Sequence, residues 1–375
     1  MPIFLIMIIT LVIISAGSVY LLTGKIIKGL SKNPKTKWAR ITRLLISIIM
    51  GVACLLWRTV MVVLLYLFVI FLIMGGLAFF IRFAFKRFNK SRIYAFLKKA
   101  YRFGIIHIVL LSVILCQGFY TMNNLTKTEY TVTSPKLKNN YKVVFISDLH
   151  YGTIQNKSVI KRKITEINAL NPDIVILGGD IVEEGTSKES MLECFSVLGG
   201  IQSRYGKFYV YGNHDRQTYS QSPSYTNADL EFAMGVHSIF PLEDKSFNIN
   251  NEILLVGRKD ASVNHTGKKR QSMGTLLKNK NDNAFVLVAD HQPTEYEQNE
   301  KAGVDLMLSG HTHGGQIFPV GRVAEAIGIM KPYGEHKKGN FTAIVSSGAA
   351  GWGFTIRTER PAEYVVVNLV ARTDI

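Results

Sequence analysis

Histidine, aspartate and asparagine side chains recur at short, regular spacings in the second half of the chain. They fall in five motifs: Ser147-Asp148-Leu149-His150, Gly178-Gly179-Asp180, Gly212-Asn213-His214-Asp215, Asp290-His291-Gln292 and Gly310-His311-Thr312-His313. Carboxylate, imidazole and amide oxygen atoms together suit Mn, Fe, Zn or a similar divalent ion, and the absence of thiolates from these motifs disfavours a structural zinc site. The residue types therefore predict metal-dependent chemistry.

Each motif follows a short apolar run that predicts a β-strand. The runs are YKVVFISD, PDIVILGGD, KFYVYGN, NAFVLVAD and VDLMLSG, and two further runs, FTAIVSSG and EYVVVNLV, come after them. Short runs rich in Val and Ile are typical of buried strands in a sheet that is covered on both faces. Because loops converge at the carboxyl ends of such strands, we expect the five motifs to meet at one edge of an α/β domain.

The spacing inside two motifs suggests how their side chains could share a centre. In an extended segment residues i and i+2 point the same way, so Asp148 and His150 are expected to face one point, and likewise His311 and His313. Between the first two runs, the segment KSVIKRKITEINAL has the periodicity of an amphipathic helix.

The motif series resembles that of the calcineurin-like metallophosphoesterases, which runs Asp-x-His, Gly-Asp, Gly-Asn-His-Asp or Glu, a lone His, and Gly-His-x-His. The resemblance spans roughly residues 141 to 370, and the strings GHTHGGQ and SSGAAGWGFTIRTERPAEY are most like the membrane-associated bacterial branch. It implies a four-layer αββα sandwich with two divalent metal ions, Mn, Fe or Zn, as cofactors. The segment GGDIVEEG lacks the ligand Tyr of purple acid phosphatases, which disfavours their iron–tyrosinate variant.

The resemblance also implies roles for individual residues. One metal would be held by Asp148, His150 and His313, the second by Asn213, His291 and His311, with Asp180 as the bridge. Two ions about 3.5 to 4 Å apart would activate a bridging hydroxide for attack on phosphorus. His214 would stabilise the transition state or protonate the leaving oxygen, with Asp215 holding its imidazole. Arg357 could contact the substrate phosphate, although a strand-edge ion pair is the alternative.

The first third of the chain has a different composition. All 27 Asp and Glu residues follow position 125, whereas 16 of the 44 Lys and Arg residues precede it. Apolar runs predict an N-terminal bundle of about four transmembrane helices at residues 3–22, 43–57, 59–81 and 104–120; a cleaved signal peptide is a disfavoured alternative for the first. Because the excess positive charge, most of the net +17, lies between apolar runs, it indicates membrane topology and argues against nucleic acid as a partner.

The loop charges predict the orientation. Basic residues cluster between the first two spans and again at 82–102, and the positive-inside rule places both clusters in the cytoplasm. We therefore expect a multi-pass protein of the cell membrane, with a transmembrane region at 1–122 and an extracytoplasmic metallophosphoesterase domain at 123–375. That domain contains only Cys194, which excludes an intramolecular disulfide within it.

These features together predict a membrane-anchored phosphoesterase that hydrolyses a phosphomonoester, a phosphodiester or a pyrophosphate. The direct tether after residue 120 motivates the hypothesis that the substrate is lipid-linked or lies close to the bilayer. Two alternatives stay open: a nucleotide or cyclic-nucleotide phosphodiesterase whose helices are only an anchor, and a non-catalytic membrane sensor.

Overall fold

The computed structural model describes residues 2–30, 36–56, 58–84, 92–267, 269–278 and 280–372. The chain forms two compact units, Met1–Gln117 and Gly118–Ile375. The helices of the first unit are α1 (Pro2–Leu30), α2 (Lys37–Leu56), α3 (Arg58–Ala84), α4 (Arg92–Arg102) and the greater part of α5 (Ile105–Asn123). Within the described residues, three stretches are long and apolar enough to cross a membrane: Ile9–Lys28, Thr59–Ile81 and Ile105–Asn123.

The second predicted span, residues 43–57, differs from the other three. It lies in the helix α2, which begins at Lys37 and carries Arg40 and Arg43 in its first two turns. Basic groups are costly at the centre of a bilayer, so the apolar part of α2 is shorter than the helix. The described part of α2 is thus not among the three candidate spans, and Trp57 lies outside the described residues.

The described residues of the second unit form two six-stranded sheets. Its strands are β1 (Thr126–Ser134), β2 (Tyr141–Ile146), β3 (Ile174–Leu177), β4 (Lys207–Tyr209), β5 (Ile239–Pro241), β6 (Lys245–Ile249), β7 (Ile253–Gly257), β8 (Phe285–Ala289), β9 (Leu306–Ser309), β10 (Gly334–Lys338), β11 (Phe341–Val345) and β12 (Glu363–Ala371). The first sheet has the order β1-β12-β2-β3-β4-β5 and the second β10-β11-β9-β8-β7-β6. Strands β2 to β5 run parallel, as do β7, β8, β9 and β11.

Three apolar cores arrange these sheets and their helices in four layers. The helices are α6 (Lys157–Ala169), α7 (Lys188–Gly199), α8 (Asn227–Val236), α9 (Met273–Leu276), α10 (Tyr296–Lys301) and α11 (Val320–Ala326). The central core joins the facing sides of the two sheets through residues such as Phe145 and Leu287. A second core packs α6, α7 and α8 on the outer face of the first sheet, and a third packs α9 on the outer face of the second. This is the αββα sandwich that the resemblance implied.

All seven predicted strands are present, and the predicted amphipathic helix is α6. Five of the strands in the described residues were not predicted: β1, β5, β6, β7 and β10. The sequence of β1, TKTEYTVTS, is mostly polar and lies at the edge of the first sheet. It pairs in parallel with β12 over nine residues, which fastens the start of the second unit to its last strand.

Candidate metal centre

The predicted metal-binding residues all follow the carboxyl ends of central strands. Asp148 follows β2, Asp180 follows β3 and Asn213 follows β4 in the first sheet. His291 follows β8, and His311 and His313 follow β9, in the second sheet. Because the two sheets pack face to face, ligands from both reach the same end of the sandwich.

The backbone turns sharply at these positions instead of staying extended. Five of the residues have positive φ angles: Asp148 (53°), His150 (42°), Asp180 (51°), His311 (69°) and His313 (50°). The i, i+2 alternation of a strand was therefore the wrong reason for their convergence. Left-handed backbone is uncommon for residues other than glycine and is concentrated at functional sites, where surrounding structure maintains it.

A first group of possible ligands consists of Asp148, His150 and His313. One ligand atom from each lies within 4.8 Å of the other two. His150 Nδ1 pairs with Glu183 Oε2 at 3.0 Å, and its Nε2 is buried without a hydrogen-bond partner among the described residues. His313 Nδ1 lies 3.2 Å from the Ala350 carbonyl oxygen, and its Nε2 lies 3.7 Å from Asp148 Oδ1. Glu183 and the Ala350 carbonyl group, which pair with Nδ1, orient both rings and leave Nε2 as the nitrogen available to a metal beside Asp148.

A second group consists of Asp180, His291 and His311, whose ligand atoms also lie within 4.8 Å of one another. His291 Nδ1 pairs with the Gly178 carbonyl oxygen at 2.9 Å, while its Nε2 lies 3.2 Å from Asp180 Oδ2. His311 Nδ1 lies 3.2 Å from the same Nε2 of His291. Imidazole nitrogens of His291 and His311 and a carboxylate oxygen of Asp180 are thus close enough to bind one metal ion.

The two groups adjoin, and their unpaired donor atoms suit a metal. The backbone N–H of His311 donates to Asp148 Oδ1 at 2.9 Å, which links the second group to the first. Asn213 Oδ1 is buried and has no hydrogen-bond partner among the described residues. A buried, unpaired amide oxygen is costly. A divalent cation would satisfy it together with the unpaired Nε2 of His150, so the residues present fit the cofactors that the resemblance implied.

The buried carboxyl and imidazole groups of the site shift one another's pKa values. Burial disfavours the ionised form of Asp180, but the neighbouring His291 lowers the pKa of this carboxyl below its usual range. Burial likewise opposes protonation of His291, yet Asp180 raises the pKa of this imidazole well above its usual value. Burial lowers the pKa of His313 to about 4, which leaves a neutral ring that can act as a ligand at neutral pH.

The hydrogen bonds of Asp215 go to backbone N–H groups and not to the imidazole of His214, which corrects the role expected for it. Its buried carboxylate accepts backbone hydrogen bonds in the loops after β3 and β4: Asp180 N at 3.0 Å, Ile181 N at 2.9 Å, Val182 N at 3.2 Å and Gly212 N at 2.6 Å. An acceptor with two oxygens can hold several N–H groups that the turns leave unpaired. Asp215 therefore ties together the two loops that carry Asp180 and Asn213.

Glu184 takes the place that the sequence suggested for Asp215. His214 Nδ1 pairs with Glu184 Oε2 at 2.6 Å, and the adjacent Glu183 supports His150. Although burial opposes the charged imidazole, the hydrogen bond with Glu184 raises the pKa of His214 above its ordinary value. Both glutamates lie in the GGDIVEEG segment, directly after Asp180. Two consecutive carboxylates beside a predicted ligand were the available signal.

An open cavity of about 550 Å³ lies over these residues. Its lining consists of Asp180, Glu184, Asn213, His214, Tyr219, His311, His313 and Trp352. The rings of Trp352 and Tyr219 lie against His214, with centroids 5.5 Å and 5.4 Å from its ring, and Trp352 is stacked on it. The cavity thus has polar groups at its base and two partly exposed aromatic rings beside His214.

Arg357 is fully buried and does not line the cavity, which corrects the expected phosphate contact. Its guanidinium donates to four backbone carbonyl groups: Ala350, His313 at 3.0 Å, Ser347 at 2.6 Å and Arg360 at 3.2 Å. Its acceptors are thus neither a phosphate nor a carboxylate. Arg357 instead positions the turn of His313 against the loop after β11.

A family model and several relatives that resemble this chain all carry the name phosphoesterase. The family model for calcineurin-like phosphoesterases matches residues 141–315. A metallophosphoesterase of Helicobacter pylori is 30% identical over 268 residues, covering 68% of this chain and 67% of the relative. One from Campylobacter jejuni is 29% identical over 279 residues, covering 70% and 69%. A transmembrane protein with a metallophosphoesterase domain from Danio rerio is 27% identical over 255 residues, covering 64% of this chain and 54% of the relative.

Proposed function

This chain belongs to the calcineurin-like metallophosphoesterases, and from that membership we propose a membrane-anchored enzyme that binds two divalent ions and hydrolyses a phosphate ester. Metal-dependent phosphoester hydrolysis is the activity of the family, and this chain is a hydrolase of that kind. The observation that carries the dinuclear proposal is the meeting of two ligand groups, one around Asp148 and one around Asp180, at the end of the sandwich.

We assign the first metal to Asp148, His150 and His313, and the second to Asn213, His291 and His311, with Asp180 between them. When bound, two such ions polarise a phosphoryl group and lower the pKa of water, which is what makes hydrolysis possible at neutral pH. The chain supplies the orientation: Glu183 and the Ala350 carbonyl set the rings of His150 and His313, and Asp215 sets the loops.

His214 is proposed to deliver the proton to the leaving oxygen. Its Nδ1 is occupied by Glu184, so Nε2 is the nitrogen available for proton transfer on the cavity side. Glu184 stabilises the protonated ring, and the stacked Trp352 limits its rotation. The negative charge of Glu184 thereby keeps the His214 imidazole protonated beside the oxygen that leaves the ester.

Membrane attachment and orientation form the second part of the proposal. Three apolar helices of the described chain are candidates for spans, and the Danio rerio relative is named a transmembrane protein. The basic segments at 25–43 and 82–102 favour a cytoplasmic position for both, which would place the catalytic domain outside. A reporter enzyme that works only outside the cytoplasm is expected to be active when it is fused after residue 375. A reporter active only in the cytoplasm would contradict this orientation.

The catalytic proposal is tested with full-length protein in lipid nanodiscs, loaded with Mn(II) and assayed on bis(4-nitrophenyl) phosphate. The Asp180→Asn variant is expected to lose bound metal together with activity, because it weakens the ligand between the two sites. The His214→Ala variant is expected to retain both ions and lose about 10²–10⁴-fold in kcat, the range for a general acid. Asp282→Asn, at an acidic side chain that is 97% exposed, is the matched control.

Substrate profiling in the same nanodiscs separates the remaining alternatives. Turnover of phosphatidic acid would support a lipid-linked substrate, whereas turnover of cyclic nucleotides alone would favour the nucleotide phosphodiesterase. A wild-type chain that binds metal but hydrolyses no phosphate ester would favour the sensor. Activity that survives both Asp180→Asn and His214→Ala would refute the catalytic assignment.

A further inference from the structure

The segment that follows the metal ligand His313 exposes an unusual number of large apolar side chains. Six of them are between 45% and 70% exposed: Phe318, Val320, Val323, Ile327, Ile329 and Met330. Scattered apolar residues are normal on protein surfaces, but a concentrated group marks an interaction site. We call these six residues the interfacial segment.

The helix α11 within this segment has its apolar face turned outward. Val320 and Val323 of α11 and its C-cap residue Ile327 recur at i, i+3 and i+7 and therefore lie on one side, and all three are exposed. The buried residue of α11 is Gly321, whose position is close to the Gly314 carbonyl oxygen. A helix on the surface of a soluble domain normally presents polar residues to water. Here Arg322 and Glu325 are exposed, as expected, but so are the apolar side chains of Val320, Val323 and Ile327. An exposed apolar side of this kind is what a helix that meets a nonpolar medium presents.

Three consecutive residues fasten the interfacial segment to the end of α5. The backbone N–H of Arg357 donates to the Gly118 carbonyl oxygen of α5 at 3.0 Å, and Thr358 Oγ1 accepts from Phe318 N at 3.0 Å. The Glu359 carboxylate accepts from the backbone N–H of Gly321 at 2.9 Å. Gly118, in the part of α5 that belongs to the second unit, and the interfacial segment are therefore held by one short strip of chain.

The same strip reaches the metal centre. The Arg357 side chain donates to the His313 carbonyl oxygen, and α11 packs against the turn His313–Gly315. The exposed Phe119 and Tyr120 occupy the part of α5 that belongs to the second unit, where a span of this length leaves the hydrocarbon. Aromatic side chains are enriched at that depth of a membrane. The interfacial segment is thus bonded to the part of α5 that continues directly from a candidate membrane span.

We propose that the interfacial segment inserts into the bilayer surface, so that the adjacent metal centre takes phosphate esters carried by membrane lipids. The lipid class of the substrate rests on the phosphoesterase function proposed above, whereas the insertion itself does not. Apolar side chains of this kind partition into the acyl boundary while the metal ligands stay in the aqueous layer. The segment therefore acts as a specificity determinant for substrates presented in a bilayer.

Fluorescence quenching tests the insertion directly in the full-length chain. Cys116, the exposed cysteine, is replaced by Ser, and a bimane label is placed at Val323→Cys or, as the control, at Phe232→Cys on α8, where the native side chain is 69% exposed. In nanodiscs that contain acyl-chain nitroxide lipids, the label at position 323 is expected to be quenched at least twofold more than the label at 232. Equal quenching would overturn the proposal. Disulfide-linked dimers of the unlabelled Val323→Cys chain, together with no lipid quenching of the labelled chain, would also overturn it.

An activity ratio tests the consequence for substrates. The variant Val320→Glu/Val323→Glu/Ile327→Glu is compared with Phe232→Glu on phosphatidic acid in nanodiscs and on soluble bis(4-nitrophenyl) phosphate. The rate on phosphatidic acid divided by the rate on the soluble ester is expected to fall at least tenfold in the triple variant. The same ratio is expected to stay unchanged in the control. An unchanged ratio would overturn the role in specificity. If the wild-type chain cleaves neither ester, the phosphoesterase proposal fails, but the quenching result still decides the insertion.

Discussion

The buried carboxylate of Asp215 provides a quantitative test of how the site is built. In the structure Oδ1 accepts from the backbone N–H groups of Ile181 and Val182, and Oδ2 accepts from those of Asp180 and Gly212. The variant Asp215→Asn keeps the shape of the side chain and replaces one oxygen with an NH₂ group. Whichever way the amide is turned, two backbone N–H groups then face a donor.

The size of the effect follows from these two lost acceptors. A buried donor left without a partner costs about 1–3 kcal/mol, so Asp215→Asn is expected to lower the free energy of unfolding by about 2–6 kcal/mol. A domain of this size loses about 2–4 °C in Tm per kcal/mol, which puts the fall in Tm near 8–16 °C for a loss of about 4 kcal/mol.

Differential scanning fluorimetry of full-length protein in detergent measures the change, with Asp282→Asn as the matched substitution on the surface. Metal content recorded on the same samples separates an effect on folding from an effect on the centre. A Tm within about 1 °C of the wild type would refute the structural role of Asp215.

Three further predictions test other parts of the site. Glu184→Gln is expected to reduce kcat about 10–100-fold with Tm and metal content unchanged, because the amide cannot stabilise a protonated His214; pre-steady-state assays would detect this, and an undiminished kcat would contradict it. Gly310→Ala is expected to weaken Mn(II) binding at least tenfold, because the added Cβ overlaps the Asp148 carboxylate. Isothermal titration measures the affinity, and an unchanged affinity would show that the overlap is relieved elsewhere. Arg357→Met is expected to lower the free energy of unfolding by more than about 3 kcal/mol, because several buried carbonyl groups lose their donor; chemical denaturation measures it, and a neutral result would contradict the positioning role.

The position of the metal ligands along the chain could be predicted because strand ends are a property of local sequence. A Val-rich run followed by Asp148 or Asp180 identifies both the strand and the edge where the side chain emerges. The sandwich itself came from the resemblance, since strand patterns alone do not distinguish two facing sheets from one.

Contacts between distant segments could not be predicted in this way. Whether Asp215 or Glu184 meets the His214 ring depends on the path of two loops, and the Asp215 carboxylate turns toward backbone N–H groups instead. The positive φ angles at Asp148 and His311 likewise depend on the assembled site, because no local preference of these residue types requires them.

Burial was the other property that the sequence left open. Arg357 lies in the polar-looking string TIRTERP, yet it is enclosed by backbone carbonyl groups of two loops. In the membrane region the apolar runs identified the helices, but the basic start of α2 leaves three candidate spans among the described residues instead of four. The number of spans therefore stays a prediction that the reporter fusion can test in part.

Electron paramagnetic resonance of the Mn(II)-loaded protein tests the central claim most directly, because only ions about 3.5–4 Å apart, as in two-metal sites, couple strongly. Two ions per wild-type chain with a spin-coupled multiline spectrum are expected, collapsing to the six-line signal of isolated ions in Asp180→Asn. A wild-type chain that shows only uncoupled ions at saturating Mn(II) would contradict the dinuclear centre.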